Sequence, residues 1–303
     1  MSISTRFILD SGDPDEYRAI SILANSNGQK LWGGTTNPTL IAKSASRRIA
    51  GQKFTDKEAF ELQKKIVLEL LTIVPGAVSA EVYADPETKA SEMIQQGKEI
   101  ASWDKRIYVK LPTTIEGFKA RSQLRKEKIP INNTLVFSQE QIFAICLHEQ
   151  IMQNEYELIG KHPCFISPFV GRLDDIGIDG MTLVENGMKI KEKYSFKCWM
   201  LEASVRQLEH MQRGILCKTE LITAPAKVYK EWFMLTNEQK NVLKASTDSK
   251  PIKQWWPDDN LLSINSEADF FKAIESNILD ISHPLTDQGI IRFASDWKSI
   301  LIS

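Results

Sequence analysis

Eight short apolar runs punctuate this chain, separated by stretches of helical period, and that alternation limits its fold more than any other feature. The runs are Arg6–Asp10, Leu31–Thr36, Val78–Tyr83, Arg106–Pro112, Ile131–Phe137, Cys164–Val170, Phe196–Ala203 and Thr219–Thr223. Between them, apolar spacing predicts helices over 55–74, 87–101, 116–126, 139–154 and 205–213. Strand–helix–strand units repeated in this way imply parallel pairing with right-handed crossovers. An open doubly wound sheet is the competing arrangement, but no Gly-x-Gly-x-x-Gly follows the first run. A closed α/β fold, a (β/α)8 TIM barrel, fits better, because such domains take roughly 250 residues plus additions and this chain has 303. We expect one domain over 1–303, with 225–303 forming the last helix and a C-terminal helical extension. In that extension the stretch from Ser246 to Asn260 reads as irregular and Asp287 to Leu301 as a closing amphipathic helix.

Charge and composition remove several function classes. The 38 basic and 39 acidic residues are well mixed and give a net charge of -1, so neither a nucleic-acid footprint nor an anionic-membrane patch is expected. The Ser46-Arg-Arg48 cluster is most simply a solvated helix face. No run is long enough to span a bilayer, and the N-terminus does not read as a signal peptide. Cys146, Cys164, Cys198 and Cys217 lack Cys-x-x-Cys spacing, and His148, His162, His210 and His283 are scattered without metal-ligand spacing. The expected setting is the reducing cytoplasm, with no metal and no cofactor.

The chemistry concentrates at the ends of the runs. In a parallel barrel the carboxyl ends of all strands face one rim, so polar residues there converge. The first run ends in Asp10, the second leads into Asn37, the third contains Glu81 and the fourth carries Lys110. Asn132 and Thr134 lie two apart in the fifth, hence on one face. Ser167 sits in the sixth with Arg172 just beyond, and the seventh leads into Ser204 and Arg206. An ammonium group is costly to bury, and its free amine is a nucleophile, so Lys110 stands out. Asp10 is a cap candidate, although Asp13-Pro14 already suits that role, with proline at the first helical position. Asn37-Pro38 also reads as a plain turn. Glu81 has no basic neighbour in sequence, so burial should raise its pKa. Arg172 has Asp174 and Asp175 nearby as partners. Arg206 is expected at the start of a helix, where Ser204 and free N–H groups would help seat a phosphate.

Six segments, Thr35-Thr-Asn-Pro-Thr-Leu40, Val78-Ser-Ala-Glu-Val82, Val109-Lys-Leu-Pro-Thr-Thr114, Asn132-Asn-Thr-Leu-Val-Phe-Ser138, Ser167-Pro-Phe-Val-Gly-Arg172 and Ala203-Ser-Val-Arg206, together resemble the transaldolase family. Gly289-Ile-Ile-Arg-Phe-Ala-Ser-Asp296 resembles that family's last helix, whereas 227–284 shows little likeness. The resemblance implies that Lys110 forms a Schiff base, that Asp10 exchanges a proton with the C4 hydroxyl, and that Glu81 and Thr134 place a catalytic water. It implies further that Asn37, Asn132 and Ser167 contact a dihydroxyacetone portion, and that Arg172, Ser204 and Arg206 hold a sugar phosphate. The partners implied are sugar-phosphate substrates, and a homodimer is the oligomer it allows. Related aldolases carry Gln in place of Glu81 and Tyr in place of Phe169, so the transfer enzyme is expected. The alternatives are a fructose-6-phosphate aldolase-like enzyme and a non-catalytic sugar-phosphate-binding barrel. In the family's last helix a basic residue often stands where this chain has Ile291, which leaves Arg292 to be placed.

Overall fold

The computed structural model describes residues 5–48, 51–156, 163–242 and 249–302. The side chains of the 46–48 cluster, His162 and the first three residues of the stretch from Ser246 lie outside those described. Eight parallel strands close on themselves in sequence order. They are β1 (Arg6–Asp10), β2 (Leu31–Thr35), β3 (Val78–Glu81), β4 (Ile107–Pro112), β5 (Ile131–Val136), β6 (Phe165–Pro168), β7 (Trp199–Glu202) and β8 (Leu221–Ala224). Each expected run meets one strand: the first coincides with its run, the next six lie within theirs, and the last ends at Ala224, one residue beyond its run. The (β/α)8 barrel is the fold.

Helices α1 (Pro14–Ser26), α2 (Pro38–Arg48) and α3 (Asp56–Ile73) fill the first two crossovers. Helices α4 (Ala90–Ser102), α5 (Ile115–Lys126) and α6 (Gln139–Tyr156) follow β3, β4 and β5 in turn. Then α7 (Val170–Asp174) and α8 (Gly180–Lys193) precede β7, and α9 (Leu208–Leu216) precedes β8. Local chemistry sets the boundaries. Asp13 caps α1 by accepting from Asp15 N, with Pro14 at its first position. Thr55 and Glu58 close a reciprocal capping box on α3. Asn37 is a helix cap rather than a plain turn: its Oδ1 accepts from Leu40 N at 2.9 Å, and Pro38 begins α2.

Beyond β8 the chain continues as α10 (Ala226–Met234), α11 (Asn237–Asn241), α12 (Asp259–Leu262), α13 (Glu267–Glu275) and α14 (Pro284–Lys298). The expected irregular stretch lies before α12, apart from Lys250–Pro251, which pairs with Ile178–Asp179. Helix α13 packs on α6, with the buried Phe270 ring 4.8 Å from that of His148. Helix α14 packs on α2 and β5 and lies across the carboxyl end of the barrel.

The opposite end is closed by aromatic rings. Tyr108 stacks on Phe165 with centroids 3.9 Å apart, and Phe165 stacks on Trp199 at 5.9 Å. Arg6 Cζ lies 4.8 Å from the Trp32 ring and 4.9 Å from that of Trp199. Side chains two apart on a strand share a face, so Lys110, Ser167 and Leu201 stand directly above this plug. The carboxyl end of the barrel is left open. No helix among the described residues is long and apolar enough to cross a membrane.

Candidate active site

Register places the central pair. Glu81 on β3 stands opposite Lys110 on β4, and Glu81 Oε2 lies 2.9 Å from Lys110 Nζ. Glu81 therefore has a basic partner, supplied by the neighbouring strand and invisible to adjacency in sequence. Both residues are buried, at 5% and 3% exposure. Lys110 Nζ also donates to Thr36 O at 3.3 Å. Burial pushes the Glu81 carboxyl up, and the Lys110 charge opposes that without overturning it.

Asp10, at the end of β1, experiences the same contest. Desolvation raises its pKa, against the Lys110 charge and a 2.6 Å hydrogen bond from Thr35 Oγ1. Thr35 Oγ1 also lies 2.7 Å from Thr223 Oγ1, so a chain of hydroxyls on β2 and β8 fixes the Asp10 carboxyl. Across the barrel, Ser167 Oγ donates to Asn132 Oδ1 at 2.6 Å, and Asn132 Nδ2 donates to Ser79 Oγ at 3.0 Å. Two more inward polar side chains are thereby oriented by each other. Thr134 Oγ1 is buried and has no hydrogen-bond partner among the described residues.

Above these groups opens a cavity of about 170 Å3. Asp10, Asn37, Lys110, Ser167, Arg172, Ser204 and Arg206 line it, as do Thr35, Thr223, Phe169, Phe293 and Arg292. Glu81, Asn132 and Thr134 are buried in the barrel and do not line this opening. Phe169 and Phe293 flank the amine, their ring centres 5.9 and 6.0 Å from Lys110 Nζ. Arg172 Cζ is 5.8 Å from the Phe293 ring, so one aromatic ring bridges the amine and the cationic wall.

That wall is built of guanidiniums. Burial and the charges of Arg292 and Arg206 push the Arg172 guanidinium below its usual range. Neither Asp174 nor Asp175 pairs with Arg172: His210 takes Asp174 and Arg206 takes Asp175. Arg206 stands just ahead of α9, whose cap is Gln207, rather than inside the helix. Its close approach to α7 depends on Gly171, where a Cβ would lie 2.6 Å from Arg206 Nε. Arg292, on α14, faces this cavity and thus joins Arg172 and Arg206. Three cations around one small opening fit a doubly charged anion.

A parallel (β/α)8 barrel with a buried lysine and two carboxyls of raised pKa beneath a cationic rim has the architecture of a barrel enzyme with its site at the carboxyl end. The family model described as transaldolase/fructose-6-phosphate aldolase matches residues 7–303, and the chain belongs to that family. A probable transaldolase of Lactiplantibacillus plantarum is 32% identical over 97% of each chain. That of Brevibacillus brevis is 31% identical over 97% of this chain and 99% of its own. A probable transaldolase 2 of Listeria monocytogenes is 29% identical over 97% and 96%. Among solved structures, a Leishmania donovani UMP synthase covers 79% of this chain and 55% of its own, with 8% identity and a TM-score of 0.43. The chain is thus a transaldolase-type aldolase.

Proposed function

We propose that this enzyme transfers a dihydroxyacetone unit from a ketose phosphate to an aldose phosphate through a Schiff base on Lys110. Sedoheptulose 7-phosphate or fructose 6-phosphate would be the donor, and glyceraldehyde 3-phosphate or erythrose 4-phosphate the acceptor. The observation that carries this reading is the buried contact between Lys110 Nζ and Glu81 Oε2 at 2.9 Å, on the floor of a cavity rimmed by arginines.

Glu81 accepts the ammonium proton, which its raised proton affinity favours, and the free amine attacks the C2 carbonyl. The proton returns through Glu81, and a water held with Thr134, to the carbinolamine hydroxyl, which leaves as water. The iminium that remains draws the electrons of the C3–C4 bond as Asp10 takes the C4 hydroxyl proton, so the aldehyde departs and an enamine stays bound. The reverse sequence with a second aldehyde completes a ping-pong transfer. Proton transfers of this kind contribute typically about 10²–10⁴-fold. Asn37, Asn132 and Ser167 would hold the dihydroxyacetone hydroxyls, while Arg172, Ser204 and Arg206 would hold the phosphate. Phe169 and Phe293 shield the amine from water, which suits an intermediate that must await its acceptor.

Incubation with fructose 6-phosphate and borohydride should add a three-carbon unit to Lys110, read by peptide mass spectrometry. Lys110→Ala should abolish transfer while circular dichroism is retained. A label on any other residue, or none in the wild type, removes this mechanism.

A further inference from the structure

Two of the wall's three arginines come from separate segments that meet, Arg172 from α7 and Arg206 with Ser204 from the β7–α9 loop, and something must hold those two in register. The loop is strained: Ser204 adopts φ +58°, a left-handed conformation that a non-glycine residue holds only where its surroundings impose it. Backbone bonds supply part of the restraint, from Val170 N to Ala203 O at 3.0 Å and from Gly171 N to Ser204 O at 3.1 Å. Gln207, the cap of α9, makes no side-chain capping bond. Instead the third residue of that helix, His210, turns back, and its Nδ1 accepts from Arg206 N at 3.4 Å. On the other side of the same ring, His210 Nε2 lies 2.8 Å from Asp174 Oδ2. Asp174 Oδ1 in turn accepts from Gly180 N at 3.1 Å.

Nδ1 is the nitrogen that accepts from the Arg206 amide, and Nε2 is the one that faces the carboxylate. The ring is buried, its side chain 3% exposed, and that of Asp174 is 12% exposed. Burial raises the Asp174 carboxyl, but the imidazole beside it and the Gly180 amide outweigh that and hold it below the usual range. Neither residue lines the cavity.

We infer that Asp174 and His210 form a positioning dyad that locks the β7–α9 loop against α7, setting the spacing of the arginines for a phosphate group. Asp174 orients the ring, the ring holds the Arg206 amide, and the amide keeps Ser204 and Arg206 facing Arg172. The inference rests on the cavity's arginine wall being the phosphate seat of the proposed reaction. It adds a relay of two residues that touch no substrate.

The test uses inorganic phosphate, measured by calorimetry, and free dihydroxyacetone, trapped on Lys110 with borohydride. In His210→Phe the phosphate dissociation constant should rise about tenfold, the equivalent of one lost buried hydrogen bond of ~1.4 kcal/mol. Trapping of dihydroxyacetone, which carries no phosphate, should stay within about twofold. In His210→Asn the amide oxygen replaces Nδ1 as acceptor for Arg206 N, so phosphate affinity should recover most of the loss. If His210→Phe does not fold, Asp174→Asn takes its place with the same expected rise. Unchanged phosphate affinity in these variants, or no recovery in His210→Asn, overturns the dyad. A wild type that binds phosphate yet traps no dihydroxyacetone would refute the Schiff base while still deciding the dyad by calorimetry.

Discussion

At the scale of single residues, the site depends on carboxyls that hold their protons unusually well. In the proposed mechanism Asp10 must be ionised to accept the C4 hydroxyl proton, and burial raises its pKa. The acid limb of kcat/KM should therefore lie above the ordinary aspartate value of about 4. A pH–rate profile with its acid limb at or below that value would remove Asp10 from the base role. Asp10→Asn should lower turnover by about 10²-fold or more. Asp10, Lys110, Arg172 and Arg206 could be picked out in the sequence because a charge at or just beyond an apolar run is conspicuous, whereas Arg292, inside a helix, was left unplaced. Thr35 and Thr223 were not, although they fix the Asp10 carboxyl. Threonine is an ordinary strand former, so its hydroxyl gives no signal until pairing brings β2 and β8 to either side of β1.

At the scale of elements, the strands could be read almost whole, but several helices could not. Asn37-Pro38 suits both a turn and a helix start, and only the closed barrel decides for α2. Helix α6 is legible over 139–154 even though its periodicity is weak, two layers covering it, the sheet on one side and α13 on the other. Its buried faces carry charge. Glu149 receives Arg121 Nη2 at 2.6 Å and Arg125 Nη2 at 2.6 Å, all three side chains being at most 2% exposed. Removing the shared anion strands two buried cations, so Glu149→Gln should cost about 3–5 kcal/mol in urea unfolding. A loss below about 1 kcal/mol would mean that water reaches the cluster. Helix α14 brings Arg292 and Phe293 to the cavity and leans on β5 at its bulge, where Leu135 has φ +59°. Thr286 Oγ1 donates to Leu135 O at 2.9 Å, and a Cβ on Gly289 would lie 2.5 Å from Leu135 Cδ2. Gly289→Val should push the helix away, destabilise by about 1–3 kcal/mol and raise KM for the phosphorylated donor. An unaltered KM would show that α14 does not set the shape of the cavity.

At the scale of the molecule, the barrel wall stores a free-energy term far from the chemistry, and it couples stability to pH. Glu202, the last residue of β7, points outward toward α9 and is fully buried against Gly214. Neither of its oxygens has a hydrogen-bond partner among the described residues. Desolvation, reinforced by Glu209 and opposed by Arg213, holds its pKa well above the usual carboxylate range. The folded chain therefore keeps a proton that the unfolded chain gives up near pH 4. Stability from this group is complete below that pH and is lost as pH rises toward the folded-state value, at about 1.4 kcal/mol per pH unit within the window. Glutamine has the same size and never ionises, so Glu202→Gln removes the decline without opening a cavity. The stability gap between Glu202→Gln and wild type should then widen in favour of the variant from pH 5 to pH 8, as measured by urea denaturation. A gap that stays constant with pH would mean that Glu202 is ionised in the fold, and that the wall between β7 and α9 admits water or a cation to meet it.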